Sequence, residues 1–287
     1  MKCIGVVGAG QMGQGIAQVA AQSGLDVVLV DAFEGVAERG RDRIAKILEG
    51  LVQKGKLEAN ARDATLARLF PSRELSSLAD VDFVVEAATE NVDVKLGIFR
   101  ELDGIVKPSG ILASNTSSIS ITKIAGVTKR PDRVVGMHFF NPVPLMKLVE
   151  IVRALQTSDE THAFTRALAE RMGKQVITAR DTPGFIVNRV LVPLVIEACF
   201  ELEAGIASPE DIDLGARLGL NHPMGPLELA DLVGLDTLLA IADVLHREFG
   251  DSKYRAPVLL RNYVAAGWHG KKAGRGFYVY DEKGNRK

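Results

Sequence analysis

Cysteine is nearly absent, with only Cys3 and Cys199 in 287 residues. Two thiols cannot build a disulfide framework, and Cys3 falls inside an apolar strand pattern. Both are expected to be reduced packing residues, which suits a cytoplasmic protein. Excess charge is also lacking: the formal net charge is −1 with 25% charged residues. That balance provides no electrostatic footprint for nucleic acid or an anionic membrane surface. No apolar run nears the ~18 residues that span a bilayer. No leader is expected, because the first strand pattern starts at Lys2, and no metal is expected.

What is present is an ordinary globular composition, 47% hydrophobic, at a length that predicts one large or two ordinary domains. The apolar run Cys3-Ile4-Gly5-Val6-Val7 leads into Gly8-Ala9-Gly10-Gln11-Met12-Gly13. A helical pattern with Ile16, Val19, Ala20 and Ala21 follows and stops at Gly24. Next comes a second strand ending in Asp31. A GxGxxG run by itself is weak evidence, but here it has the strand, turn, helix and strand that the fingerprint requires. Gly8 permits the tight turn, Gly10 lets a pyrophosphate approach the backbone, and Gly13 lets helix and strand pack closely. The phosphates would lie over free N–H groups at the helix N-terminus. A carboxylate at Asp31 accepts a ribose 2′-hydroxyl and repels a 2′-phosphate. No Arg or Lys follows immediately in Ala32-Phe33-Glu34, so NAD is favoured over NADP.

Residues 34–68 interrupt the alternation of strand and helix. They read as a charged helical hairpin, with one helix over 35–53 and another over 58–69, joined at Lys54-Gly55-Lys56. Lys54 and Lys56 are either partners for an anionic substrate group or solubilising charges on an exposed turn. A buried strand over 81–88 then leads to Thr89-Glu90-Asn91 and a helix over 92–106 with Lys95 on its first turn. Another strand runs into Asn115-Thr116-Ser117-Ser118.

The stretch Val134-Val135-Gly136-Met137-His138-Phe139-Phe140-Asn141-Pro142 is an apolar strand with one titratable ring, broken at an Asn-Pro turn. A second apolar strand, Leu148-Val149-Glu150-Ile151, returns with one carboxylate. A lone His among Val, Met and Phe is usually a core residue. A carboxylate beside it would instead hold its tautomer and raise its basicity, as a general base requires. Ligands of open α/β sheets bind beyond the carboxyl ends of strands. Asp31, Glu90, Asn115, Ser117 and the His138 turn all lie at such ends, and that convergence favours the functional reading.

Past Pro183 the pattern is helical. Residues 185–204 form a long apolar helix, expected to be buried nearly all round, with Asn188 and Arg189 as polar exceptions. Its uninterrupted apolar surface suggests a dimer partner or one large core. Ser208 reads as an N-cap, Gly225-Pro226 opens another helix, and 235–249 forms a third.

Taken together these motifs resemble the short-chain L-3-hydroxyacyl-CoA dehydrogenase family, close to its bacterial 3-hydroxybutyryl-CoA branch. The matches are the Gly8–Gly13 fingerprint, Asn115-Thr116-Ser117-Ser118, His138-Phe139-Phe140-Asn141-Pro142-Val143, Asp181-Thr182-Pro183-Gly184-Phe185-Ile186-Val187-Asn188-Arg189, His222-Pro223-Met224-Gly225-Pro226 and Gly270-Lys271-Lys272-Ala273-Gly274-Arg275-Gly276-Phe277-Tyr278. The resemblance implies a Rossmann-type doubly wound sheet with the helical hairpin inserted, over 1–182. A helical substrate and dimerisation domain over 183–287 would follow. It implies NAD-dependent oxidation of a 3-hydroxyacyl-CoA, with 3-hydroxybutanoyl-CoA as the expected substrate. His138 would be the base, paired with Glu150. Ser117 and Asn188 would hydrogen-bond the reacting 3-oxygen. Gly8, Gly10, Gln11, Met12, Gly13, Asp31, Glu90, Lys95, Asn115, Ser117, Asn141 and Lys272 would contact NAD, and Lys54 would contact coenzyme A. A homodimer is implied as well. The related β-hydroxyacid dehydrogenases carry a catalytic Lys four residues before the Asn, where this chain has Gly184. A non-catalytic dinucleotide-binding structural protein is the other alternative.

Overall fold

The computed structural model describes residues 2–287, which form two compact units divided between Thr182 and Pro183. The first unit is built on eight strands: β1 (Cys3–Val7), β2 (Asp26–Val30), β3 (Leu69–Ser72), β4 (Phe83–Glu86), β5 (Ile111–Ser114), β6 (Val134–Phe139), β7 (Leu148–Arg153) and β8 (Gln175–Arg180). They lie in the order β3-β2-β1-β4-β5-β6-β7-β8. Neighbours run parallel except β6 and β7. The central strands are buried on both faces, which is why β4 and β5 read as continuous apolar runs.

The helices of this unit are α1 (Gln11–Gln22), α2 (Val36–Gln53), α3 (Ala59–Leu66), α4 (Val92–Ile105), α5 (Ile121–Ala125) and α6 (Asp159–Arg171). Local chemistry starts several of them. Asn91 Oδ1 accepts from the Val94 N–H at 3.1 Å, and Ser158 Oγ accepts from Thr161 N–H at 3.1 Å. On α1, Ile16, Ala17, Val19 and Ala20 face the same core as Ile4 and Val6 of β1 and Val27 and Leu29 of β2.

The hairpin of α2 and α3 is present, but its second helix ends at Leu66 rather than continuing to 69. Leu69-Phe70-Pro71-Ser72 is instead the edge strand β3. A four-residue stretch containing proline has neither the length nor the alternation to announce itself, and Pro is tolerated there because β3 lies at the sheet edge.

The second unit is helical, with α7 (Val187–Glu203), α8 (Pro209–Gly219), α9 (Pro226–Val233), α10 (Leu235–Phe249) and α11 (Val258–Ala265). Ser208 Oγ caps α8 by accepting from Asp211 N–H at 3.2 Å. Val195, Cys199, Leu227, Leu238, Leu245 and Leu260 meet in one core. Contrary to expectation, α7 is not buried all round: Val190 is 68% exposed, as part of a face that also exposes Ile186. Its core-facing stripe packs against α8, α9, α10 and α11.

Two buried carboxylates organise this second core. Asp213 accepts from the Leu227 and Glu228 N–H groups and from the Tyr278 hydroxyl. Asp231 accepts from the N–H groups of Phe277 and Tyr278 and from the Tyr280 hydroxyl. Between them they tie the chain's last turns to the start of α9 and its end. Burial raises the Asp231 carboxyl above the usual range, despite the bonds it accepts. Burial likewise raises the Tyr278 and Tyr280 hydroxyls.

Candidate active site

The chain leaves β1 for β2 and β3 on one side, then crosses back to β4 on the other. The crevice where strand order reverses therefore lies at the carboxyl ends of β1 and β4, the place where open α/β sheets bind ligands. The glycine-rich turn fills the β1 side of it. Gly8 has φ +97, and a Cβ there would lie 2.5 Å from the Ala88 Cα. A Cβ on Gly13 would lie 1.7 Å from the Gly8 carbonyl oxygen, so neither position admits another residue. Gly10, by contrast, has nothing within 4 Å of an added Cβ, and no side chain caps α1. An uncapped helix start below open space is a fitting seat for a pyrophosphate.

Asp31 stands just beyond β2. Its Oδ2 accepts from Ala9 N–H at 2.9 Å and its Oδ1 from Phe33 N–H at 3.2 Å. The carboxylate thus braces the glycine turn, and with about four acceptor positions it can still take ribose hydroxyls. Past β4, the exposed Glu90 accepts from the Thr116 hydroxyl at 2.6 Å and from Ser117 N–H at 3.2 Å. Asn115 Oδ1 accepts from Phe139 N–H at 2.9 Å, joining the end of β5 to the residue after His138. Gln11 Nε2 donates to Asn141 Oδ1 at 3.0 Å, which ties the first turn of α1 to the turn after β6.

His138 is the penultimate residue of β6, and Glu150 is its direct partner in the antiparallel ladder with β7. Directly opposed residues project to the same face, and His138 Nδ1–H donates to Glu150 Oε2 at 2.7 Å. Glu150 is fully buried and His138 is 6% exposed, with the Phe140 ring 4.7 Å from the imidazole centroid. The first unit therefore places Gly8, Gly10, Gln11, Met12, Gly13, Asp31, Glu90, Asn115, Ser117, His138 and Asn141 at or just beyond the carboxyl ends of β1, β2, β4, β5 and β6, with Glu150 opposite His138.

Four further expected residues have surroundings of their own. The Lys95 ammonium is buried, 1% exposed, against Glu86, within 3.4 Å of the Ser114 hydroxyl. Lys54 is exposed at the end of α2. Asn188 and Lys272 belong to the second unit, where Asn188 is buried on α7 and Lys272 pairs with Asp236 at 2.6 Å. Burial would raise the Asp236 carboxyl, but Lys272 and the Thr237 N–H outweigh it and the net shift is downward.

Residues that sequence reasoning passed over also shape the site. Glu86 Oε1 accepts from Ala88 N–H at 2.9 Å, and its other oxygen takes Lys95 and Ser114. The buried Lys174 donates to the carbonyls of Val143 at 2.5 Å and Met146 at 2.9 Å, holding the link from β6 to β7. Desolvation lowers its pKa. A lysine one residue before a strand carries no sequence signal for such a contact.

Two family models cover the chain. Residues 3–182 match the 3-hydroxyacyl-CoA dehydrogenase NAD binding domain, and residues 184–280 match the 3-hydroxyacyl-CoA dehydrogenase C-terminal domain. The chain belongs to the 3-hydroxyacyl-CoA dehydrogenase family. It is 53% identical over 283 residues to a probable 3-hydroxybutyryl-CoA dehydrogenase of Bacillus subtilis, with 99% of each chain covered. It is 43% identical to the human mitochondrial hydroxyacyl-coenzyme A dehydrogenase, over 98% of this chain and 91% of that one. A crystal structure of the (S)-3-hydroxybutyryl-CoA dehydrogenase of Ralstonia eutropha superposes with a TM-score of 0.94 at 53% identity. That match covers 98% of this chain and 100% of that one. As a 3-hydroxyacyl-CoA dehydrogenase the protein is an NAD-dependent oxidoreductase, and the β-hydroxyacid dehydrogenase alternative falls away.

Proposed function

We propose that the protein oxidises (S)-3-hydroxyacyl-CoA thioesters to 3-ketoacyl-CoA, with 3-hydroxybutanoyl-CoA as the principal substrate, and catalyses the reverse reduction. The observation that carries this reading is the His138–Glu150 pair beside the glycine turn. Nδ1 of His138 is committed to Glu150, so Nε2 takes the proton of the 3-hydroxyl. Glu150 holds that tautomer and stabilises the imidazolium that results. NAD, when bound, supplies the hydride acceptor. In the reductive direction the imidazolium returns the proton to the 3-oxygen.

Ser117 and Asn188 are assigned to hydrogen bonds with that oxygen, and Lys54 to coenzyme A. The glycine turn, Asp31, Glu90, Asn115, Asn141 and Lys272 are assigned to NAD. Lys95 contributes through Glu86 and Ser114, whose polar atoms it holds at the strand ends. We further infer a cytoplasmic homodimer formed through the second unit, where Val190, Ile206, Leu218 and Val258 are each more than 60% exposed. Light scattering checks this assembly directly, and a monomer mass at micromolar concentration would overturn it.

The central test is His138→Gln. This variant is expected to bind NADH normally while its NADH consumption with acetoacetyl-CoA falls by about 10² to 10⁴. Turnover at the wild-type rate would remove His138 from the role.

A further inference from the structure

The loop that follows Asp31 is held at two carbonyls by arginines, one on the helix that follows it and one from the end of the neighbouring strand β3. Arg73 Nε donates to the Ala32 carbonyl at 3.3 Å, and Arg39 Nη2 donates to the Glu34 carbonyl at 3.3 Å. Arg73 arrives there because β3 is the parallel neighbour of β2, with Val30 opposite Ser72 and Asp31 N–H donating to the Ser72 carbonyl at 3.2 Å. It is therefore the residue that leaves the sheet alongside Asp31. Arg39 lies on the first turn of α2, next to Gly40. A Cβ on Gly40 would lie 3.1 Å from Ala9 Cβ in the glycine turn. Both guanidiniums are exposed. Their acceptors are neutral backbone carbonyls, whereas Arg130 and Arg153 face Asp103 and Asp159. Among the described residues neither Arg39 nor Arg73 is in a salt bridge.

A pair of uncompensated guanidiniums flanking the carboxylate that meets the adenosine ribose is a phosphate-type environment. Arginine's planar fork of donors suits phosphate oxygens, and charge-assisted bonds of this kind are the strong ones. We propose that Arg73, assisted by Arg39, forms a latent 2′-phosphate site, so that exclusion of NADP depends on the single charge of Asp31. The inference rests on Asp31 being the ribose partner. Asp31 is held in place by the N–H groups of Ala9 and Phe33 and so projects a fixed negative charge where the 2′-phosphate would enter. Removing that charge leaves two guanidiniums whose hydrogen bonds here go only to backbone carbonyls. No basic residue follows Asp31 immediately in the chain; the relevant cation arrives at the end of the neighbouring strand β3.

Equilibrium titration of NADH and NADPH by coenzyme fluorescence tests this without turnover. Asp31→Ser is expected to weaken NADH and to tighten NADPH by about tenfold or more, the value of one charge-assisted bond. Adding Arg73→Met, which keeps the aliphatic stem, is expected to lower NADPH affinity at least as far as it had risen, and to change NADH affinity much less. The NADPH gain should also shrink with added salt. If Asp31→Ser/Arg73→Met binds NADPH as tightly as Asp31→Ser, the latent site is wrong while Asp31 keeps its role. If Asp31→Ser alters neither coenzyme, Asp31 is not the ribose partner and both readings fall. Thermal melting of each variant separates these outcomes from misfolding.

Discussion

His138 and Glu150 are twelve residues apart and face each other directly across the one antiparallel pairing of the sheet, joined by a 2.7 Å hydrogen bond. In the other pairings of this sheet, all parallel, a short return would be impossible, because parallel neighbours need a crossover of a dozen or more residues. The reversal is what lets one short connection deliver imidazole and carboxylate to the same face. Glu150→Gln preserves the shape but removes the charge that stabilises an imidazolium. Turnover with acetoacetyl-CoA is expected to fall by about 10² to 10⁴ with little change in NADH affinity. Steady-state kinetics beside a coenzyme titration checks this, and unchanged kcat would contradict it.

Lys95 and Glu86 are both essentially buried, at 1% and 0% side-chain exposure. Truncating one partner of such a pair leaves an uncompensated charge, so Lys95→Met is expected to destabilise the first unit by about 3–5 kcal/mol. The double variant Lys95→Met/Glu86→Gln should recover much of that loss. Urea denaturation of the two variants decides it, and a double variant no more stable than the single one would show that the pair's charge is not the cause.

Lys174 holds the connection between β6 and β7 through the Val143 and Met146 carbonyls. Lys174→Met keeps the buried stem and removes both donors, at a cost of about 1–3 kcal/mol for the acceptors left behind. Faster hydrogen exchange is expected over residues 142–147, together with a lower kcat, because the link sets where β7 presents Glu150. Exchange identical to wild type would show that the link is held by other contacts.

Asp231 yields a pH dependence. Its carboxyl is raised by burial, so between the ordinary aspartate value and the raised one the folded state binds more protons than the unfolded state. The contribution of this group to stability therefore grows as pH falls through the raised value and levels off below the ordinary one. Asp231→Asn removes that titration and should flatten the corresponding part of the stability–pH curve. It should also lower stability overall, since an amide nitrogen must then face one of the donors from Phe277, Tyr278 or Tyr280. A mutant curve parallel to wild type throughout the acid range would refute the assignment.

Much of this protein was determined locally by its chain. The glycine spacing from Gly8 to Gly13, the acid at Asp31, the Ser208 cap and the strand patterns around His138 and Glu150 act over one or two turns, where sterics and hydrogen-bond chemistry leave few choices. Those signals suffice for the alternating sheet, for the helical second unit and for the main catalytic candidates. Only the tertiary structure decided which distant groups meet. It placed Lys95 against Glu86, Lys174 under the β6–β7 link, the edge strand β3 beside β2, and Arg73 next to the Asp31 loop. Charge pairing and edge pairing depend on where the chain returns in space, and a short run such as Leu-Phe-Pro-Ser carries no periodicity that specifies its neighbour.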